Sequence, residues 1–294
     1  MPLVKKVIRP IGDQRLTPGG WFVNEAEWDD LEQLVIACRT RAMEMAQAFA
    51  REGLTRSVKP DKTFVTHADL AIERELRRMI ASRFPGHAVL GEEEGVQSSQ
   101  AGAAVTWVID PIDGTFSFMN GIPFYSSLLA VLVEGEPVIG SASLPELGWT
   151  LHARKGRGAY FNGERVNKAA AASVQPEPSD ILAIADPYRF RTVGAGGVLT
   201  ALLEDPYRSR TYPDALGYML LLKGAVRGFV DPRTEIWDVA PFHVILPEAG
   251  FEMVKWSGER ELSAGGVYSY RTGARDDSVA LILAAHVREN PVRS

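Results

Sequence analysis

Apolar residues recur at helical spacing from Glu25 to about Arg51, at Leu31, Leu34, Val35, Cys38, Ala42, Met45, Ala46 and Phe49, predicting a long amphipathic first helix. Lys59 to Thr66 reads as a turn and a short extended piece. A second helix is predicted from Ala68 to about Phe84, with Leu70, Ile72, Leu76, Ile80 and Phe84 on one broad face and Pro85-Gly86 as its stop. Ala88-Val89-Leu90 then forms a brief buried strand leading into Gly91-Glu92-Glu93-Glu94-Gly95. After Thr115 the period changes. Phe124 to Val133, Pro137 to Ser143 and Trp149 to Ala153 read as an antiparallel meander, with Glu134-Gly135-Glu136, Lys155-Gly156-Arg157-Gly158 and Asn162-Gly163 as its turns.

The second half alternates differently. It predicts a strand at Ile181 to Ala185, helices at Gly194 to Leu203 and Asp214 to Lys223, and a strand at Arg227 to Val230. Further helices follow from Trp237 to Glu248 and from Asp277 to about Arg288. Ala169 to Ser179, rich in Ala, Pro and Ser, reads as an exposed connection between two lobes. The fold class is α+β: an antiparallel sheet with helices, then a mixed α/β half, built in layers.

Composition narrows the function. The 294 residues are 46% hydrophobic, enough for a large core, and the formal charge is 32 minus 37, or −5. There is no dense Lys/Arg block, so neither nucleic acid nor an anionic membrane is expected as a partner. Cys38 is the only cysteine, which rules out an internal disulfide and fits a reducing cytoplasm. The N-terminus, with Arg9, Pro10, Asp13 and Gly19-Gly20, lacks the unbroken apolar run of a signal peptide. The five histidines show no metal-ligand spacing, so zinc is not expected. Gly194-Ala195-Gly196-Gly197 lacks the lysine and spacing of a P-loop and reads as a helix approach.

Candidate chemistry centres on Asp110-Pro111-Ile112-Asp113-Gly114-Thr115, which closes the mostly apolar run Val105 to Ile109. Two carboxylates, a glycine and a threonine at a strand end can hold hard cations and a phosphate at one point. A plain Asp-Gly turn between two strands is the alternative. Asp69, Glu92-Glu93, Asp110, Asp113 and Asp238 all stand beside turn or terminus signals rather than on helix faces. Singly, Glu92-Glu93-Glu94 reads as a solvated loop, Trp237-Asp238 as a core tryptophan with a helix cap, and Asp69 as a helix-start charge. Together they suggest convergence, and a buried carboxylate cluster needs cations, most economically magnesium.

In chain order, Asp69, Gly91-Glu92-Glu93, Asp110 to Thr115 and Trp237-Asp238-Val239-Ala240 resemble the signature of the inositol monophosphatase family of magnesium-dependent, lithium-sensitive phosphatases. Gly121-Ile122-Pro123-Phe124 and Pro247-Glu248-Ala249-Gly250 fall where related sequences have similar runs. The match leaves out only Met1 to about Asn24, an N-terminal extension, and makes 25–290 the phosphatase domain, with lobes at about 25–168 and about 180–290. The resemblance implies the layered α/β/α/β/α sandwich shared with fructose-1,6-bisphosphatase, and a homodimer. It also implies that Glu92, Asp110 and the Ile112 carbonyl hold one Mg2+, that Asp110, Asp113 and Asp238 hold a second, and that Glu92 with nearby Glu93 serves a looser third. By the same resemblance the Gly114 and Thr115 amides bind phosphate, Asp69 pairs with the Thr115 hydroxyl to orient water, and Glu92, Asp69 and Thr115 are catalytic.

The implied activity is hydrolysis of a small phosphate monoester such as inositol 1-phosphate by metal-activated water, with no covalent enzyme intermediate. Asp231 stands where family members carry an acid that touches the substrate, and could equally be the turn residue of Asp231-Pro232. Glu235 shares its loop, and two acids there suit a polyol or a cationic amine. Phe116-Ser117-Phe118, with Ser117 where the inositol type usually has Asn, and Asp214-Ala215-Leu216-Gly217-Tyr218 resemble histidinol-phosphatase-like members, so histidinol phosphate is the alternative substrate. A regulatory or partner-binding protein on the same fold is the alternative of another class.

Overall fold

The structure is a computed structural model that describes residues 25–52, 56–58, 64–97, 103–166, 181–204, 208–273 and 275–289. The N-terminal extension, most of the predicted turn at 59–66 and the predicted connection at 169–179 lie outside these residues.

Helix α1 (Glu25–Glu52) buries the expected stripe, Leu31, Val35, Cys38, Ala42 and Ala46, with Leu34, Met45 and Phe49 partly covered. Burying a large side chain such as Leu31 or Val35 contributes roughly 1.5–3 kcal/mol before entropy is counted. Cys38 behaves as a small hydrophobe: burial pushes its thiol up to about 12. Helix α2 (His67–Arg83) starts in a capping box, in which Thr66 Oγ1 accepts from the Ala68 N–H at 3.2 Å and Asp69 Oδ2 accepts from the Thr66 N–H at 2.8 Å. Strand β2 (Phe64–Thr66), paired antiparallel with β1 (Arg56–Val58), leads into it.

The first large sheet has eight strands, β3 (Ala88–Gly91), β4 (Gly95–Gln97), β5 (Val105–Asp113), β6 (Ser126–Val133), β7 (Glu136–Leu144), β8 (Trp149–Arg154), β9 (Gly158–Phe161) and β10 (Glu164–Arg165). Its order is β10-β9-β8-β7-β6-β5-β3-β4, and only β3 and β5 run parallel. The meander follows the predicted turns: Glu134 and Gly135, at φ 51 and 83, make a left-handed two-residue connection that suits strand twist. Strands β5 and β6 are buried nearly throughout because helices cover both faces of the sheet.

The second sheet holds β11 (Ile181–Ile184), β12 (Arg208–Thr211), β13 (Gly228–Thr234), β14 (Phe251–Lys255) and β15 (Gly265–Arg271) in the order β12-β11-β13-β15-β14. Between the sheets lie α6 (Asp214–Leu222) and α8 (Phe242–Ala249); Phe242, Ile245 and Leu246 share one core with Leu128 and Leu151 of the first sheet and Phe229 and Phe251 of the second. On the outer face α4 (Pro187–Thr192), α5 (Gly196–Glu204) and α9 (Asp277–Glu289) close a third core around Leu182, Ile184 and Tyr268. The five layers are the expected α/β/α/β/α sandwich.

Three details differ from the sequence reading. The single helix expected from Trp237 to Glu248 is two, α7 (Ile236–Val239) and α8, because Pro241 has no N–H to continue the first ladder. Helix α4 precedes the predicted helix at Gly194 as a separate turn capped by Asp186, whose Oδ1 accepts from the Tyr188 N–H at 2.8 Å. Strands β1, β4, β12, β14 and β15 go beyond the sequence reading, and β12 carries the alternating arginines of Arg208-Ser209-Arg210.

Candidate metal and phosphate site

Two parallel strands set up the site. In the β3–β5 pair Gly91 lies beside Ile109, so Glu92 and Asp110 follow at the same end of that pair, and the Glu92 N–H donates to the Ile109 carbonyl at 3.1 Å. Past Asp110 the pairing of β5 with β6 becomes irregular: Asp110 faces Leu128 and Asp113 faces Ser126. Pro111, with no N–H, stands in this irregular stretch, and the Ser127 hydroxyl donates to its carbonyl at 2.6 Å.

Asp113 Oδ2 accepts from the Ser126 hydroxyl at 2.5 Å and from the Ala215 N–H at 3.0 Å. Gly114 then turns left-handed, at φ 82, into the short helix α3 (Thr115–Met119). A side chain there would be strained and would put its Cβ 2.9 Å from Asp214 Oδ2. Asp113-Gly114 is therefore a strand-to-helix joint and not the hairpin turn that composition alone allowed. The Thr115 hydroxyl donates to the Ile112 carbonyl at 3.3 Å rather than to Asp69, and the Thr66 hydroxyl donates to Asp69 Oδ2 at 2.5 Å.

Asp238 arrives from the second half of the chain, on α7. Helix α7 lies against β5 and β6, and Asp238 Oδ2 accepts from the Glu235 N–H at 2.8 Å, fixing the carboxylate at the helix start. One oxygen from each of Asp110, Asp113 and Asp238 lies within 4.8 Å of the others. Burial, then Glu92, Asp113, Asp238 and Asp69 in that order, raise the pKa of Asp110 well above the carboxylate range. Burial, then Asp113, raises Asp238 in the same way. Asp113 is raised by burial against the pull of its Ser126 and Ala215 hydrogen bonds. Three of the five acids singled out in the sequence, Asp110, Asp113 and Asp238, thus meet within 4.8 Å, and Glu92 and Asp69 lie near enough to raise the Asp110 pKa.

Asp110 Oδ1 is buried with no hydrogen-bond partner among the described residues. A set of close carboxylates with an unsatisfied oxygen fits a hard divalent cation, which would remove the like-charge repulsion.

Beside this cluster stands a residue that the sequence reading missed. Arg189 of α4 pairs with Asp214 Oδ1 at 2.8 Å and approaches Asp231 Oδ2 at 3.5 Å. Burial brings Asp214 up to about 7, with Asp113 adding to it, and Asp231 to about 6, with Arg189 opposing. Asp214 holds the uncommon φ of 53, so its backbone is strained where its carboxylate meets Arg189. Asp231 lies inside β13, at the irregular stretch before Thr234, and accepts from the Arg233 N–H at 3.0 Å. Glu235 is more open and lies 3.8 Å from Arg233. Asp186-Pro187 signals a helix start, yet nothing in the pattern separates Arg189, which turns inward, from exposed Arg191.

The sequence profile of the inositol monophosphatase family matches residues 27–289. The chain belongs to this family. With that membership comes its chemistry, the hydrolysis of phosphate monoesters at a metal-dependent site. A histidinol-phosphatase of Mycobacterium tuberculosis is 35% identical over 233 residues, 78% of this chain and 88% of that protein. A fructose-1,6-bisphosphatase/inositol-1-monophosphatase of Thermotoga maritima is 30% identical over 223 residues, 74% of this chain and 83% of that protein. Among solved structures, Thermotoga maritima IMPase superposes with a TM-score of 0.75 at 27% identity, over 88% of this chain and 99% of that one. Among the described residues, no helix is long and apolar enough to cross a membrane.

Proposed function

We propose that this phosphatase uses Mg2+ to hydrolyse a small phosphate monoester, such as inositol 1-phosphate, by direct attack of water. The observation that carries the metal reading is the unpartnered Asp110 Oδ1 among carboxylates that burial and mutual repulsion push toward protonation. Glu92, Asp110 and the Ile112 carbonyl would hold one cation, Asp110, Asp113 and Asp238 another, and Glu92 with nearby Glu93 would serve a looser third. When bound, the cations supply the positive charge that polarises water and offsets the leaving alkoxide. The Gly114 and Thr115 amides, at a left-handed turn entering a helix, are suited to phosphate oxygens. Asp69 and Thr115 would orient the attacking water, with the Thr115 hydroxyl turning from the Ile112 carbonyl as substrate enters. In the same proposal residues 25–290 act as one domain of two lobes and the chain works as a cytoplasmic homodimer. Nucleic acid and membrane are not partners.

Asp231 would contact the substrate beyond its phosphate. Two buried acids flank Arg189, giving a wall with an excess of negative charge, which favours an amine as well as a polyol. This observation, with the kinship to a histidinol-phosphatase, supports histidinol phosphate as the second reading. The test is phosphate release from inositol 1-phosphate, histidinol phosphate and fructose 1,6-bisphosphate, with and without Mg2+ and Li+. The ratio of kcat/KM values identifies the substrate. No turnover of any small phosphate would leave the alternative of a regulatory protein on this fold.

A further inference from the structure

Glu73 lies on α2 and is fully buried, yet it belongs to none of the roles above. Its Oε2 accepts from the Glu93 N–H at 2.9 Å and its Oε1 from the Glu94 N–H at 3.0 Å. With the Glu92 N–H given to Ile109, three successive amides of the acidic turn are fixed, two of them by one side chain. The fit is close enough to require glycine at 91, where a Cβ would lie 2.3 Å from the Glu73 carboxyl. Arg77, one helical turn on, donates to Glu73 Oε1 at 2.9 Å and to the Gly95 carbonyl at 2.6 Å, and lies 3.4 Å from the Val89 carbonyl. The pair therefore holds both strands of the β3–β4 hairpin and the turn between them.

We propose that Glu73, charge-balanced by Arg77, is the positioning residue that fixes the Glu92–Glu94 turn so that the Glu92 carboxylate stands preformed beside Asp110 for cation binding. The inference rests on the assignment of Glu92 to the metal site. A carboxylate is suited to the task because it accepts from two adjacent amides at once, and its charge strengthens both bonds. Gln keeps the shape but offers one acceptor to two amides and sets an NH2 group against donors.

The test uses metal-free full-length protein and two readouts: hydrogen exchange at the Glu93 and Glu94 amides, and calorimetric titration with Mn2+. Glu73→Gln is expected to speed exchange at those amides at least ~10-fold and to weaken Mn2+ binding ~10–100-fold, as loss of a group supporting a metal ligand does. The double variant Glu73→Gln with Arg77→Met restores charge balance, so its Tm recovers while exchange stays fast and binding weak. Leu283→Ala, in the distant helix α9, lowers the Tm and changes neither readout. Unchanged exchange in Glu73→Gln, or Mn2+ affinity that recovers with the Tm in the double variant, overturns the proposal. Glu92→Gln separates the two layers: it should weaken Mn2+ binding and leave both amides protected. If its affinity is unchanged, the metal assignment fails, while the exchange data still decide whether Glu73 holds the turn.

Discussion

Two buried acids, Glu73 and Asp110, are completed differently. Glu73 is enclosed by protein groups: two backbone amides and the Arg77 guanidinium. Asp110 is as deeply buried, but one of its oxygens has no hydrogen-bond partner among the described residues and its neighbours are further acids. Burial alone therefore does not mark a functional carboxylate. A buried acid with a full set of partners is architecture, and one left among like charges is a place for a cation.

The sharpest way to break this contrast is Asp110→Asn. It should cut kcat by about 10^3-fold or more, since it removes a shared ligand and with it several kcal/mol of transition-state stabilisation. In the metal-free protein it should raise the Tm, because the cost of burying an acid among like charges, whether it stays ionised or takes up a proton, is gone. Retained kcat, or a lower metal-free Tm, would put Asp110 with the architectural acids. Arg77→Met is the opposite experiment. Stranding Glu73 without its cation should cost about 3–5 kcal/mol in urea denaturation, and a cost below about 1 kcal/mol would show that the pair does not hold the turn. Asp231→Asn should have a smaller effect, shifting the ratio of kcat/KM between histidinol phosphate and inositol 1-phosphate by ~10-fold or more while the fold is kept. An unchanged ratio removes Asp231 from the specificity wall.

The same contrast explains what could be read from the sequence. Asp110, Asp113, Glu92 and Asp238 were legible because their chemistry sits on turns and element ends, where acids with glycine, proline or tryptophan form short local signals. Helix α1 was legible from its stripe, and the meander from its two-residue turns. Glu73 was not, because its partners are a turn about 20 residues on, brought over α2 by a hairpin whose second strand is only Gly95–Gln97. Its one local trace is the i,i+4 spacing to Arg77, which on most helices means a surface pair. Arg189 was hidden for a related reason: its partners Asp214 and Asp231 come from α6 and β13. The break between α7 and α8 was written in the chain at Pro241, but a continuous apolar period from Val239 to Leu246 masked it.

The smallest effect, and the one that tests the electrostatics most directly, is the pH dependence of metal-free stability. Asp231 at about 6 and Asp214 at about 7 hold their protons more tightly in the fold than the ~3.9 of an unfolded aspartate. Protonation of these acids therefore adds stability that is complete below about pH 4 and is lost as the pH rises through 6 and 7. His243 acts in the other direction, because burial pushes it down to about 4 and the fold loses stability as the pH falls below the ordinary histidine value. A comparison of slopes separates the two. Between about pH 5 and about pH 8 the metal-free Tm of the double variant Asp214→Asn with Asp231→Asn should fall less than that of the wild type, or rise, by a difference equivalent to ~1 kcal/mol or more. Mg2+ should raise the wild-type Tm more at the upper end of the range than at the lower, since cation and proton compete for the same carboxylates. Equal slopes in the two proteins would show that these acids are solvated and compensated, and would leave the unbalanced charge confined to Asp110, Asp113 and Asp238.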